Sequence, residues 1–429
     1  MSTIRAAIVS EDITPRPGVR LSGFAGRTGP NEGWRDLIRA TALYLSANGQ
    51  EALVIGLDVI GISAADDLRL RTLLSRHLGL DPDTIMVACS HTHSGPATME
   101  IRATGAMERA WTDTVFEWAI QAAAGAQQEA TTVSIAVGEA ECTASVNRRR
   151  PTKRGIVMAP YPDGPTDPVC RVVRLDSTDG PIAVVVQYAM HPTTLGKSNR
   201  RVSADWIAPM RKKLEAEAHC PVLFLQGCCG DVSPRVQGGE DACVQSGVEV
   251  ADAAIRALRS ATSTSLASLG TGSAIAAIPL QPIVADAELC RVEAECRALL
   301  QGSTADKLDA DIALGRLEWV GACRKRRASG MEQRVLDARV SAIGIGPVTI
   351  VGLPGEVFTE IGDRIRAEAP GTWPIGYTNG NVGYLYPDTA LVEGGYEVDL
   401  AWQLYGEQQP AAGAADALVA AALDAVACG

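Results

Sequence analysis

Short aliphatic runs alternate along this chain with stretches whose apolar residues recur at three- and four-residue spacing, the mark of strands interleaved with amphipathic helices. Ala6 to Val9 reads as a short strand. Asp12-Ile-Thr-Pro-Arg-Pro-Gly18 leaves it as a loop punctuated by proline and glycine, which continues through Gly23 to Gly33. Glu51 to Asp58 reads as a buried strand, and a helix follows: Ser63 as N-cap with Asp66 three residues on, apolar spacing through Leu70, Leu73 and Leu74, and Gly79 as the stop. Thr84 to Cys89 is the next strand. Strand, helix, strand in this order implies a parallel crossover, so the chain is expected to form an α/β fold with a layered mixed or mostly parallel sheet flanked by helices.

The same grammar recurs with Ala183 to Tyr188 as a strand, Asp205 to about Ala218 as a helix, and Val222 to Leu225 as a strand. Asp241 to about Arg259 is helical, and residues 285 to 340, rich in Glu, Arg, Ala and Leu, form a helical excursion. Val348 to Val351 restores the sheet, Glu356 to Arg366 reads as a helix, and Ala411 to Ala427 as a packed terminal helix. No repeat or low-complexity linker divides the chain, which is expected to be one catalytic domain over residues 1–429.

Composition narrows the function classes. With 46% apolar and 21% charged residues the chain can bury a full core, which excludes disorder, collagen and coiled coil. Its net charge of −11 argues against nucleic acid or anionic lipid as a partner. No run is long and apolar enough to span a bilayer, and Arg5, Glu11, Asp12 and Pro15 interrupt any leader-like core, so a cytoplasmic location is expected. The 11 cysteines include no CxxC pair and lack the spacing of a disulfide framework, which makes most of them small buried hydrophobes.

The unusual polar clusters fall just after the expected strands, where ligands bind in open α/β sheets. His91-Thr-His93-Ser-Gly95, His191-Pro-Thr-Thr194, Gly227-Cys-Cys-Gly230-Asp-Val-Ser233 and Pro354-Gly-Glu356 are these places, and they hold three of the five histidines. Imidazole and carboxylate suit zinc, and a catalytic zinc site takes about three protein ligands plus an open position. His91, His191 and Glu356 could supply that set. His91 and His93 share one side of an extended segment, so either both ligate or one stands beside the metal as a proton shuttle or oxyanion donor. The alternative is hydrogen-bonded loop histidines with Glu356 complementing a helix dipole. The same donors also accept manganese or iron.

Ser90-His-Thr-His-Ser-Gly-Pro96, Asn147-Arg148, His191-Pro-Thr193, Gly230-Asp-Val-Ser-Pro234, Pro354-Gly-Glu356 and the segment from Gly383-Tyr384 to Gly395-Tyr396 occur in the order seen in neutral ceramidases. Asp12-Ile-Thr-Pro15 and Leu21-Ser-Gly-Phe24 also resemble the start of that neutral/alkaline non-lysosomal family. The resemblance implies a ceramidase-catalytic-domain-like fold and a zinc-dependent hydrolase that cleaves a linear N-acyl amide with metal-activated water. Carried over, it makes His91, His191, Glu356 and Tyr384 zinc ligands, with Tyr386 close to the last, and His93, Arg148 and Tyr396 the groups around the scissile carbonyl and tetrahedral intermediate. Ser233 matches a serine proposed in the family as a nucleophile; with a metal-bound water available it reads here as structural, within a tight turn. Asp205 either orients a zinc histidine or caps the following helix.

Two departures bear on substrate. The family's usual members are secreted or membrane-facing and carry a C-terminal β-sandwich domain, which is not expected here. Aromatic residues make up only 4% of the chain, leaving little for a lipid-binding surface. The run Arg148-Arg-Arg150 with Lys153 and Arg154 is either a solvated loop or a reader of a substrate carboxylate. The partner expected is thus an N-acyl amide or other small molecule, with assembly into a homo-oligomer left open. The competing readings are a zinc-dependent esterase or lactonase and a non-enzymatic binding protein that retains the fold.

Overall fold

In the strand Arg39–Ala47, Ala40, Ala42 and Tyr44 face one side and Leu43 and Leu45 the other, and both sides are buried. A strand covered on both faces belongs to the middle of a layered fold. The computed structural model describes residues 3–264, 268–302, 306–330, 332, 334–406 and 408–429. Its largest sheet runs in the order Val222–Gln226, Gly180–Tyr188, Val169–Ser177, Thr131–Glu141, Ile4–Asp12, Arg39–Ala47, Gln50–Leu57, Ile85–Cys89, with Thr262–Thr264 added beside Thr131–Glu141. A second sheet joins Leu269–Pro279, Val335–Ile345, Val348–Gly352 and Thr372–Ile375.

Of the two expected forms the sheet is the mixed one, and antiparallel pairs predominate. Parallel pairing in these two sheets appears where a helix crosses over. Ala64–Leu78 links Gln50–Leu57 to Ile85–Cys89, Ile207–Ala218 links Gly180–Tyr188 to Val222–Gln226, and Thr359–Glu368 links Val348–Gly352 to Thr372–Ile375. The first of these helices ends as its sequence requires: Ser63 accepts from the Asp66 amide at 3.1 Å, and Gly79 closes it at φ 74°.

Four layers result. Leu70, Phe116, Met210 and Val250, from four helices, cover one face of the large sheet. Leu43, Val54, Val173 and Leu225 on its other face meet Ile343, Ile350 and Trp373 of the second sheet. Ile361, Ile365, Leu418 and Ala422 then cover the outer face of that sheet. Both sheets are therefore buried on both sides, and polar chemistry is confined to their ends.

Two expectations change. Residues 285 to 340 contain the helices Asp286–Gln301 and Lys307–Ala328, but the end of that range is the start of the strand Val335–Ile345, whose period-two alternation pairs it along Leu269–Pro279. Glu356 does not open a helix. It lies in the two-residue strand Glu356–Val357, parallel to Tyr384–Leu385, and the helix begins at Thr359. Every cysteine is a free thiol, and all but Cys290 and Cys428 are buried. Among the described residues no helix is long and apolar enough to cross a membrane.

Candidate functional site

The carboxyl ends of the parallel strands of both sheets meet. Cys89 N–H donates to Tyr377 O at 3.0 Å, and isolated bridges join Ala88 to Thr378 and Gly227 to Ile375. His91, His191, Glu356 and Tyr377 each follow one of these strand ends, which is why residues far apart in sequence converge. His91 and Tyr377 hold φ values of 64° and 55°, and Asp205 and Asn379 are also left-handed. Such backbone in non-glycine residues is strained, and it clusters here around one site.

Both candidate ligand imidazoles are oriented by main-chain carbonyls. His91 Nδ1 donates to Ile60 O at 2.6 Å, and His191 Nδ1 lies 2.7 Å from Cys229 O and 3.1 Å from Val232 O. Carbonyls only accept, so each neutral ring keeps its proton on Nδ1 and turns a lone pair on Nε2 inward. Those two nitrogens face the same oxygen: Glu356 Oε2 lies 3.3 Å from His91 Nε2 and 3.1 Å from His191 Nε2. Burial, reinforced by the Arg148 charge, pushes the His191 imidazole down to about 4. Acceptors thus point at acceptors, and a cation among them is the partner that satisfies all three. The donor set fits a divalent metal.

His93 completes the cluster, its Nε2 3.1 Å from His91 Nε2, and one nitrogen from each of the three histidines falls within 4.8 Å of the others. Its Nδ1 is buried without a hydrogen-bond partner. Burial, with the neighbouring His91 and His191, holds its pKa well below the ordinary imidazole value. The ring is cradled by the Leu21-to-Phe24 loop. A Cβ on Gly23, at φ 95°, would come 2.6 Å from His93 Cγ, and Phe24 meets the ring edge-on with centroids 5.0 Å apart.

A tyrosine and arginine cluster closes the other side. Arg148 donates to Glu397 Oε1 at 2.9 Å, Gly230 O at 2.7 Å and Tyr384 Oη at 2.9 Å, and Arg149 holds the second Glu397 oxygen at 2.9 Å. Tyr384 and Tyr396 meet edge-on at 6.0 Å. The hydroxyl of Tyr405, not that of Tyr384, donates to Glu356 Oε1.

The sequence profile described as neutral/alkaline non-lysosomal ceramidase, N-terminal, matches residues 7–271, more than half of the chain. This chain belongs to that family. The crystal structure of neutral ceramidase from Pseudomonas aeruginosa superposes with a TM-score of 0.73 at 18% identity, covering 98% of this chain and 73% of the other. A ceramidase complexed with C2 superposes at 0.72 and 16% identity, covering 98% and 74%. At such identities the likeness establishes the ceramidase fold. No curated protein sequence matches this chain.

Against that family pattern, His91, His93, His191 and Glu356 are together at one centre, with Tyr384, Tyr396 and Arg148 forming its flank. The basic run divides. Arg148 and Arg149 are buried on Glu397, and only Arg150, Lys153 and Arg154 are exposed, so neither a solvated loop nor a substrate reader describes the first two. Asp205 neither touches an imidazole nor caps the next helix. It accepts from the amides of Thr194 at 3.1 Å, Leu195 at 3.1 Å and Trp206 at 2.8 Å, folding the loop that follows His191. Ser233 stands in the strand Val232–Pro234, and the turn leading to it supplies the carbonyls that orient His191.

Sequence reasoning missed Tyr377, which stacks on His91 at 4.1 Å, as well as Tyr405 and Arg27. Tyr377 follows the strand Thr372–Ile375, so the rule that found the histidines would have reached it once that strand was recognised. Tyr405 ends a short helix, Ala401–Tyr405, and carries no local signal.

Proposed function

We propose that this chain is a metal-dependent amidase, with zinc held by His91, His191 and Glu356 and Tyr384 as the adjoining fourth ligand, acting on a linear amide. The observation that carries the reading is the convergence of two carbonyl-oriented imidazoles on one carboxylate oxygen, with no proton donor among them. Zinc bound there would supply a Lewis acid and make water nucleophilic near neutral pH.

The protein's own groups do the rest. His93 turns its Nε2 toward the cluster, 3.1 Å from His91 Nε2, where it takes a proton from the attacking water and delivers it to the leaving nitrogen. Arg148 orients the Tyr384 oxygen, and its charge, with the hydroxyl of Tyr396, faces the negative charge that develops on the carbonyl oxygen. Tyr405 holds Glu356 in place through its second oxygen. Water adds across the C–N bond to give a carboxylic acid and an amine.

The test is turnover of matched small N-acyl amides and esters by wild-type protein and His93→Ala. An amine leaves only once protonated, so the variant should lose about 10² to 10⁴ of its amide rate and much less of its ester rate. Equal losses on both, or ester turnover alone in the wild type, would replace the amidase with an esterase. Gly23→Ala tests the cradle. It should keep its metal yet lose about a hundredfold in amide rate, because displacing a positioned group by about 1 Å costs that much. Unchanged turnover would mean that His93 needs no support from this loop.

A further inference from the structure

A cleft of about 620 Å³ is lined in part by Phe24, which packs on His93, and by Tyr405, which bonds Glu356. A narrow apolar tunnel would suit a long acyl chain, but these walls carry Arg20, Arg27, Glu100, Arg102, Lys307 and Asp311. Lys307 and Asp311 neutralise one another at 2.7 Å. Glu100 is exposed at the mouth.

Arg27 is different. It is only 7% exposed, and among the described residues it makes no ion pair with a carboxylate. Its terminal nitrogens donate to Ser22 O and His93 O, both at 2.7 Å, while its Nε is buried with no partner. A neutral amide donor would satisfy two carbonyls equally well. A full buried charge is costly unless it is compensated, and within the chain only Asp205, acting through space without an ion pair, and the Phe24 ring 5.1 Å away do so, which leaves the guanidinium able to take a negative group from outside. Its unpartnered Nε belongs to the planar fork with which a guanidinium takes a carboxylate. Arg20, exposed on the same wall, adds a second positive charge.

We propose that the amide this site hydrolyses carries a carboxylate on the portion lying in the cleft, as in an N-acyl amino acid, and that Arg27, assisted by Arg20, recognises it. The inference rests on the amidase reading for its chemistry. Its binding arm stands apart from turnover.

The experiment compares calorimetric binding of an N-acetyl amino acid with that of the same compound bearing a neutral carboxamide. It uses wild-type protein as isolated and after chelation, beside Arg27→Gln and Arg20→Met. The charged compound should bind wild type about tenfold more tightly with or without metal, the scale of a buried charge-assisted pair. That ratio should fall to about one in Arg27→Gln and by about threefold in Arg20→Met. Equal affinities, no binding of either compound, or a preference that vanishes on chelation and so belongs to the metal, overturns the assignment. Should Arg27→Gln not fold, Arg20→Met decides, and an unchanged ratio there overturns it too. Charge-selective binding without hydrolysis of any amide would support the Arg27 assignment and sink the amidase reading.

Discussion

His191→Ala should empty the metal centre. Purified wild-type protein is expected to hold about one zinc per chain and the variant almost none, with amide turnover falling by about a thousandfold or more, since a catalytic site that loses one of its imidazole ligands no longer holds its zinc. Stability should report the same event. A ligand that binds the folded state a thousandfold above its Kd adds about 4 kcal/mol, so chelation should lower the thermal midpoint of wild type and leave the variant unmoved. Glu356→Gln should behave like His191→Ala, because a neutral amide offers a weak ligand oxygen and can also donate a proton to the imidazoles, satisfying them without a cation. His77→Ala, on an exposed helix surface, is the control and should retain its metal. Wild-type protein that binds no zinc when zinc is supplied would remove the metal from the mechanism and favour a binding protein that keeps the fold.

Glu397→Ala should produce the largest loss of stability among the site's neighbours. Glu397 accepts from Arg148 and Arg149 at 2.9 Å each, and all three side chains are at most 7% exposed. Removing the carboxylate leaves two buried guanidinium groups without their shared counter-charge, for which a broken buried pair typically costs about 3–5 kcal/mol. The readout is a lower thermal midpoint, measured on metal-loaded protein so that loss of zinc does not contribute. Activity should fall as well, because Arg148 is held against Tyr384 and Gly230 by the same carboxylate. Glu397→Gln, which keeps an acceptor and loses the charge, should lie between the two. A Glu397→Ala protein that melts with wild type would show that the arginines find other partners, and the account of this flank would fail.

The histidines are legible in the sequence because they break a pattern. In a chain with five, three stand directly after strands that the apolar runs already mark, and the order of the short motifs is enough to point to the family. The Ala64–Leu78 helix is equally readable, since Ser63 and Gly79 act through bonds to neighbours in the sequence. Arg39–Ala47 is not legible as a strand, because it is covered on both faces and its alanines and polar residues show no one-sided alternation. Glu356 stands out as a candidate ligand, but its sequence neighbourhood points to the wrong element, because a two-residue strand exists only through its pairing with Tyr384–Leu385.

The sequence by itself therefore determined the layered α/β class, the helix ends with local caps, the metal-type donors and the family. These are consequences of periodicity, near-neighbour hydrogen bonds and side-chain chemistry, all of which act over a few residues. Only the tertiary structure decided which lone pairs face one another, that Glu397 and not a substrate holds Arg148 and Arg149, that Tyr405 reaches Glu356, and that Arg27 is buried with an unpartnered Nε. Each of these depends on carbonyls, carboxylates or hydroxyls brought in from distant strand ends, and an electrostatic partner has no fixed spacing along the chain.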